Sequence, residues 1–302
     1  MDNALVLLNQ LLVMFIYMAI GFFLYRAGLV TQEGSRSMGS LLLYIILPCV
    51  IIRSFIANIG LQSLSTVLIS TVVGTLLFLI SIVVCAVVFR KDSLSNCSCA
   101  FSNAGFIGIP LITAMFGKEA VFYTAGCTAI LNILQWTYGQ RLLSGERQKE
   151  PITKLLRNPF LISFFVGFLC FQFAIPLPGL VTQCVDAIAG LNGPIAMIIL
   201  GTYLAQATLK DLFCCKEPYL VSLVRLVLIP AINLAVLFLI PGDKTMRLSL
   251  LIVASAPVGS NVAIYAQKLN KNYSLAVGIV CLSTILCLIT LPLWIAAAEF
   301  LF

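Results

Sequence analysis

Two stretches of this 302-residue chain gather polar and helix-breaking residues inside apolar surroundings. One reads Ser102-Asn103-Ala104-Gly105-Phe106-Ile107-Gly108-Ile109-Pro110, and the other reads Ser255-Ala256-Pro257-Val258-Gly259-Ser260-Asn261. Proline removes a backbone donor and clashes with the carbonyl four residues back. Glycine lets the backbone leave helical geometry at low steric cost. Together they predict a helix broken in its middle. The half that follows a break starts with unpaired N–H groups and the positive end of a helix dipole. The expected donors are the N–H groups from Gly108 to Leu111 and from Asn261 to Ala263, with Pro110 in a first turn where its missing N–H costs nothing. If the breaks cross, two helix N-termini meet and form an anion site. Asn103, Ser260 and Asn261 add neutral hydrogen-bonding groups without burying a fixed charge. Gly105, Gly108, Pro257 and Gly259 complete the candidate substrate-binding set. A packing kink explains either stretch alone. Both together favour a site.

Other polar residues join these. Asn132 and Gln135 are three apart and share a helix face. They either line the cavity or bond between helices. Few charges lie inside apolar runs, and each is a functional candidate. Asp186 and Arg225 are the coupling-ion candidates. Asp186 is alternatively a solvated carboxylate at the interface. Arg225 is expected to pair with substrate or a carboxylate, or else to reach back to the headgroups. Arg53 reads as an interfacial anchor.

These residues need a membrane around them. The chain is 61% hydrophobic and 10% charged, with a mean hydropathy of +1.09, against about 25% charged in a soluble domain. Ten apolar runs follow, near residues 5–25, 37–56, 64–89, 95–116, 120–140, 159–175, 180–206, 218–240, 248–269 and 274–301. About 20 apolar residues span a bilayer. The polar stretch from Arg141 to Asn158 splits the runs five and five. The expected fold is an all-α polytopic membrane protein of ten transmembrane helices. Residues 1–141 and 159–302 form two inverted five-helix repeats joined by a cytoplasmic linker, 142–158. An odd-numbered repeat enters on one side and leaves on the other, so its copy is inverted. The broken runs are then the fourth of each half.

Charge supports this topology. With the N-terminus outside, Arg26, Arg36, Arg90, Lys91, Arg141, Arg147, Lys149, Lys154, Arg157, Lys210, Lys216, Lys268 and Lys271 fall in inner loops. Only Arg53, Lys118, Lys244 and Arg247 fall outside. The positive-inside rule then sets both termini outside a cell membrane. The net charge of +7 has this origin, and nucleic acid is not expected as a partner. Met1-Asp2-Asn3 has no basic n-region, so the first run is expected to stay as a span.

The quoted motifs resemble those of the auxin efflux carrier family, in the bacterial branch of malate and malonate permeases. Residues 103–111 resemble its fourth-span motif, and residues 256–263 with Tyr265-Ala266 its ninth. Gly193-Pro194, residues 200–204 and Leu47-Pro48 are also similar. The likeness runs over nearly the whole chain. It implies ten spans in inverted repeats, a crossover of spans four and nine, and a transport bundle that moves against a scaffold like an elevator. It also implies organic anions as substrates. The acidic residue that some plant members carry in span three has no counterpart, since Leu64 to Phe89 holds no Asp or Glu.

The resulting expectation is a secondary transporter of a mono- or dicarboxylate. The alternatives are a sodium-coupled symporter of the bile-acid type and an anion channel. An enzyme is not expected: the chain has no histidine, which removes the usual triads, and it has no GxxxxGK[ST] motif. Its 11 cysteines are scattered without a CxxC pair and read as structural thiols, so no metal or cofactor is expected. The coupling ion is H+ or Na+. The expected partners are the bilayer and the small anion, and a homodimer stays open.

Overall fold

A computed structural model describes residues 2–145, 158–206, 215–269 and 271–302. Residues 146–157, most of the expected linker, lie outside the described residues, as do 207–214. The described chain is helical. Helices α1 (Asp2–Arg26), α2 (Gln32–Ile56) and α3 (Leu64–Val88) come first. The fourth run divides into α4 (Ser93–Ala100) and α5 (Ala104–Phe116). Then come α6 (Phe122–Leu134), a wide π-turn over Gln135–Gly139, and α7 (Gln140–Ser144). In the second half lie α8 (Pro159–Gln172), α9 (Gly179–Gln206) and α10 (Lys216–Leu239). The ninth run divides into α11 (Lys244–Ser255) and α12 (Asn261–Lys268), and α13 (Tyr273–Leu301) closes the chain.

Among the described residues six helices are long and apolar enough to cross a membrane: α1 from Val6 onward, α2, α3, α9, α10 and α13. Helices α5 and α8 are apolar but shorter. Side-chain caps start several helices. Thr31 accepts from Gly34 N, Ser63 from Thr66 N, Asp92 from Leu94 and Ser95 N, and Asp243 from Met246 N. Each satisfies donors that the first turn leaves unpaired. Helix α3 shows the expected division of faces. Val72, Val83 and Val87 are exposed, while Ser70, Gly74, Leu77 and Ser81 are buried. An apolar outer face belongs against lipid.

Three internal prolines share one device. π-Turns at Leu42–Ile46, Ala104–Gly108 and Val224–Leu228 precede Pro48, Pro110 and Pro230. In each case the residue four before the proline sits at the centre of the wide turn. The wider turn relieves the ring's clash with that carbonyl and spares the missing N–H. For Pro230 the carbonyl in question is Leu226 O, which accepts from Trp294 Nε1 at 2.8 Å.

Glycines sit at three of the main helix pairs, α1–α9, α2–α8 and α3–α6. The largest contacts of α1 are with α9, of α2 with α8, of α3 with α6 and of α10 with α13. A Cβ on Gly21 would meet Ile198 O at 2.1 Å, and one on Gly201 would meet Met18 O at 1.9 Å. The α1 and α9 backbones therefore touch reciprocally, which small residues permit in membranes. Nearby, Ser35 and Thr202 hydroxyls bond at 2.6 Å. Gly167 of α8 lies beneath Phe55 of α2, which packs edge-on against Phe122 and Phe164.

Candidate functional site at the helix crossing

Helix α4 ends at Ala100 and α11 at Ser255, and the residues after each run extended. These two strips pair antiparallel, with Ser102 opposite Val258. Asn103 N donates to Pro257 O at 2.8 Å, and Gly259 N donates to Phe101 O at 2.9 Å. Val258 N donates to Ser283 Oγ of α13 at 3.2 Å. Each break thus satisfies the other's backbone, as an apolar environment requires. Gly259 belongs here because a Cβ would sit 3.2 Å from Ser102 O and 3.3 Å from Phe101 O.

The crossing leaves four half-helix ends. Arg225 of α10 holds the two C-terminal ones. Its side chain is fully buried. Nη1 donates to Cys99 O at 3.2 Å, Nε donates to Ala256 O at 2.9 Å, and Nη2 donates to Ala254 O. Each helix C-terminus carries roughly half a negative charge, so two of them balance one guanidinium. Arg225 therefore neither reaches the headgroups nor pairs with a carboxylate, and it faces carbonyls of both broken segments.

The two N-terminal ends face a crevice. Ala104, Gly105 and Phe106 of α5 line it, with Ser260 and Asn261 at the start of α12. Asn132 and Gln135 line another wall, and Leu43 and Leu47 of α2 the next. Its cavity volume is about 20 Å³, room for about one water. Asn261 Nδ2 donates to Gln135 Oε1 at 3.2 Å, which joins the α12 end to α6's π-turn. Asn132 Nδ2 turns to Thr128 O of its own helix. Buried Asn103 Nδ2, Gln135 Nε2 and Ser102 Oγ have no partner, and neither does Asn261 Oδ1. Asn103 is 4% exposed and Gln135 3%. Unmet buried donors at this density call for an acceptor.

The expected backbone donors need correction. Gly108 N is bonded to Asn103 O, as is Ile107 N. Val262 N goes to Gly259 O, and Ala263 N to Ser260 O. The second half of the fourth run starts at Ala104, a turn earlier than expected. The first-turn groups are therefore those of Ala104 to Phe106, and Pro110 follows the π-turn instead of opening the helix. Gly108 packs against Val253, where a Cβ would come within 3.0 Å of Cγ1. Pro110 lines a different cavity. Pro257 contributes its carbonyl to the crossing. Asp186 of α9 stands away from the crossing, 4.0 Å from Arg53 Nε and 3.6 Å from Lys118 Nζ.

A larger cavity of 280 Å³ adjoins the crevice through Leu43 and Asn261. Gln32, Arg36 and Tyr44 of α2 line it, with Gln140, Tyr203 and Tyr265. Among the described residues Arg36 is the charged group in that lining. Sequence reading left Arg36 in a loop by starting the span at Ser37. The signal it missed was Thr31, the N-cap that starts α2 five residues before Arg36.

Comparison with known proteins identifies the family. Residues 6–295 match the model of the family described as "Membrane transport protein". The chain is 23% identical over 294 residues to an uncharacterized transporter of Methanothermobacter thermautotrophicus, covering 91% of this chain and 93% of that one. It is 22% identical over 302 residues to an uncharacterized transporter of Methanocaldococcus jannaschii, covering 95% and 97%. Matched along almost its full length, and carrying several helices fit to cross a bilayer, this multi-pass membrane protein belongs to the auxin efflux carrier family of membrane transport proteins.

Proposed function

We propose that the protein is a secondary transporter that moves a small organic anion, a mono- or dicarboxylate, by alternating access. One observation carries the reading. Two half-helix N-termini and the unpartnered amides of Asn103 and Gln135 meet in a crevice whose lining, among the described residues, holds no carboxylate. Helix N-termini attract an anion with partial charges and strand no fixed charge when empty. The negative ends of the same broken helices are answered by Arg225, so the uncompensated ends are the positive ones. The substrate carboxylate sits beside Asn103 and Asn261 and replaces the water that the crevice has room for.

The motion is of elevator type. Helices α1, α2, α8 and α9 form the scaffold, and the remaining helices carry the crossing. The grouping of main helix contacts supports this division. Ten spans in two inverted five-span repeats, with both termini outside and residues 142–158 cytoplasmic, account for the antiparallel pairing of the two breaks. A pseudo-two-fold axis in the membrane plane would pass between them. On this topology the Arg36 cavity opens to the cytoplasm.

The test is thermal stabilisation of the purified protein by a panel of mono- and dicarboxylates, with and without sodium. A ligand that binds the native state raises apparent stability. Stabilisation by carboxylates above matched uncharged amides is the expected result. Equal stabilisation by amides or by cations removes the anion reading.

A further inference from the structure

One stripe of α2, with the residue after it, borders four cavities. Arg36, Ser40 and Leu43 line the linker-side cavity, and Leu43 and Leu47 line the crevice. Val50 and Arg53 line a third cavity of 280 Å³, and Arg53 and Ala57 line a fourth of 280 Å³. Steps of three and four residues put these side chains on one stripe. Arg36 and Arg53 are about 25 Å apart along the helix at 1.5 Å per residue, and the crevice lies between them. The third cavity is therefore on the opposite side of the crossing from the Arg36 cavity.

That third cavity touches the crossing itself. Pro110 and Thr113 of α5 line it, as does Asn192 of α9. Asn192 is 3% exposed. Its Nδ2 donates to Gly105 O at 3.1 Å in the first turn of α5, and its Oδ1 has no partner. Among the described residues Arg53 is the cation in the lining, and no carboxylate lines this cavity. The Arg53 side chain is 14% exposed, and its Nε makes no hydrogen bond. Asp186 approaches it only at 4.0 Å, from the fourth cavity, and is shared with Lys118.

We infer that the third cavity is a second anion-binding position, in which Arg53 receives the carboxylate of a substrate arriving from the side opposite the linker. This rests on the reading of the protein as a carboxylate transporter. Asp186, with Glu119 beside it in the fourth cavity, supplies the resident negative charge in the empty state, which lowers the cost of holding a cation there. A carboxylate fits the planar guanidinium fork with two parallel bonds, better than Asp186 does at 4.0 Å. Arg36 does the same work on the linker side. Helix α2 is then a fixed rail with one anion receptor at each end.

The test uses the whole protein in proteoliposomes of known orientation, with succinate and acetate as probes applied from either side. Arg53→Gln keeps one neutral amide donor in place of the two-bond fork, so it is expected to raise the half-saturating concentration at least tenfold on the far side, about the worth of one charged hydrogen bond, and to leave the linker side unchanged. Arg36→Gln gives the converse, Arg53→Lys recovers part of the loss, and Asp186→Asn tightens far-side binding. Equal changes on both sides, or none, overturn the proposal. If the parent carries neither acid, the carboxylate reading is lost, and a second measurement decides this one. Ala57→Cys in a Cys184→Ser background is modified by anionic and cationic methanethiosulfonates. Arg53→Gln is expected to cut the anionic-to-cationic rate ratio about fivefold through the local potential. An unchanged ratio overturns the assignment.

Discussion

Replacing Arg225 by methionine tests the electrostatic frame of the crossing. The substitution keeps the apolar stem as far as the Nε position and removes the three donors in use. Cys99, Ala254 and Ala256 carbonyls then stay buried without those partners. Each unsatisfied buried carbonyl costs about 1–3 kcal/mol, so the three cost roughly 3–9 kcal/mol. Against this, the variant no longer desolvates a guanidinium, which costs several kcal/mol. At the middle of that range, about 6 kcal/mol, the net expected loss is roughly 2–3 kcal/mol. It appears in denaturant unfolding of the purified protein in mixed micelles. Arg225→Lys restores the charge but not the fork, so it recovers a minority of the loss. Anion selectivity is expected to stay parental in Arg225→Lys, because the side chain does not line the crevice. A methionine variant as stable as the parent, or a lysine variant with altered selectivity, refutes the capping role.

Three further outcomes follow from other contacts. Asn103→Ala or Asn261→Ala weakens carboxylate binding about tenfold to a hundredfold with folding preserved, the range for a hydrogen bond to a charged group. Isothermal titration of the purified variants checks it, and parental affinity in both removes the side chains from the site. Gly201→Val places a Cβ within 1.9 Å of Met18 O and abolishes the monodisperse peak in size-exclusion chromatography. Trp294→Phe leaves Leu226 O without its donor and lowers unfolding stability by about 1–3 kcal/mol, while carboxylate affinity is retained.

The residues that break helices were legible, because proline and glycine act on their own backbone. Pro257 and Gly259 mark a break wherever the rest of the chain goes. The seven candidates Asn103, Gly105, Asn132, Gln135, Gly259, Ser260 and Asn261 line one crevice. Arg225 was not legible as a cap, since its partners are carbonyls from segments about 30 and 126 residues away, and a carbonyl leaves no mark in sequence. The start of the half-helix at Ala104 was obscured by the π-turn, which moves Pro110 one turn inward. Arg36 was missed because apolar runs locate the hydrocarbon, whereas α2 begins at a cap before it.

The mutual pairing of the two breaks has a consequence in time. Ser102 and Val258 are bridge partners, yet about 156 residues separate them on the nascent chain. At about 5–20 residues per second, synthesis takes roughly 8–30 seconds to deliver the second strip after the first. During that interval Asn103 N and Phe101 O lack their final partners. Lipid cannot supply them, so the first break waits in water, in the insertion machinery or against other protein. Maturation of the first half therefore depends on a segment that does not yet exist, and a ribosome stalled between the two breaks leaves a membrane-inserted intermediate with an open polar backbone for quality control to detect.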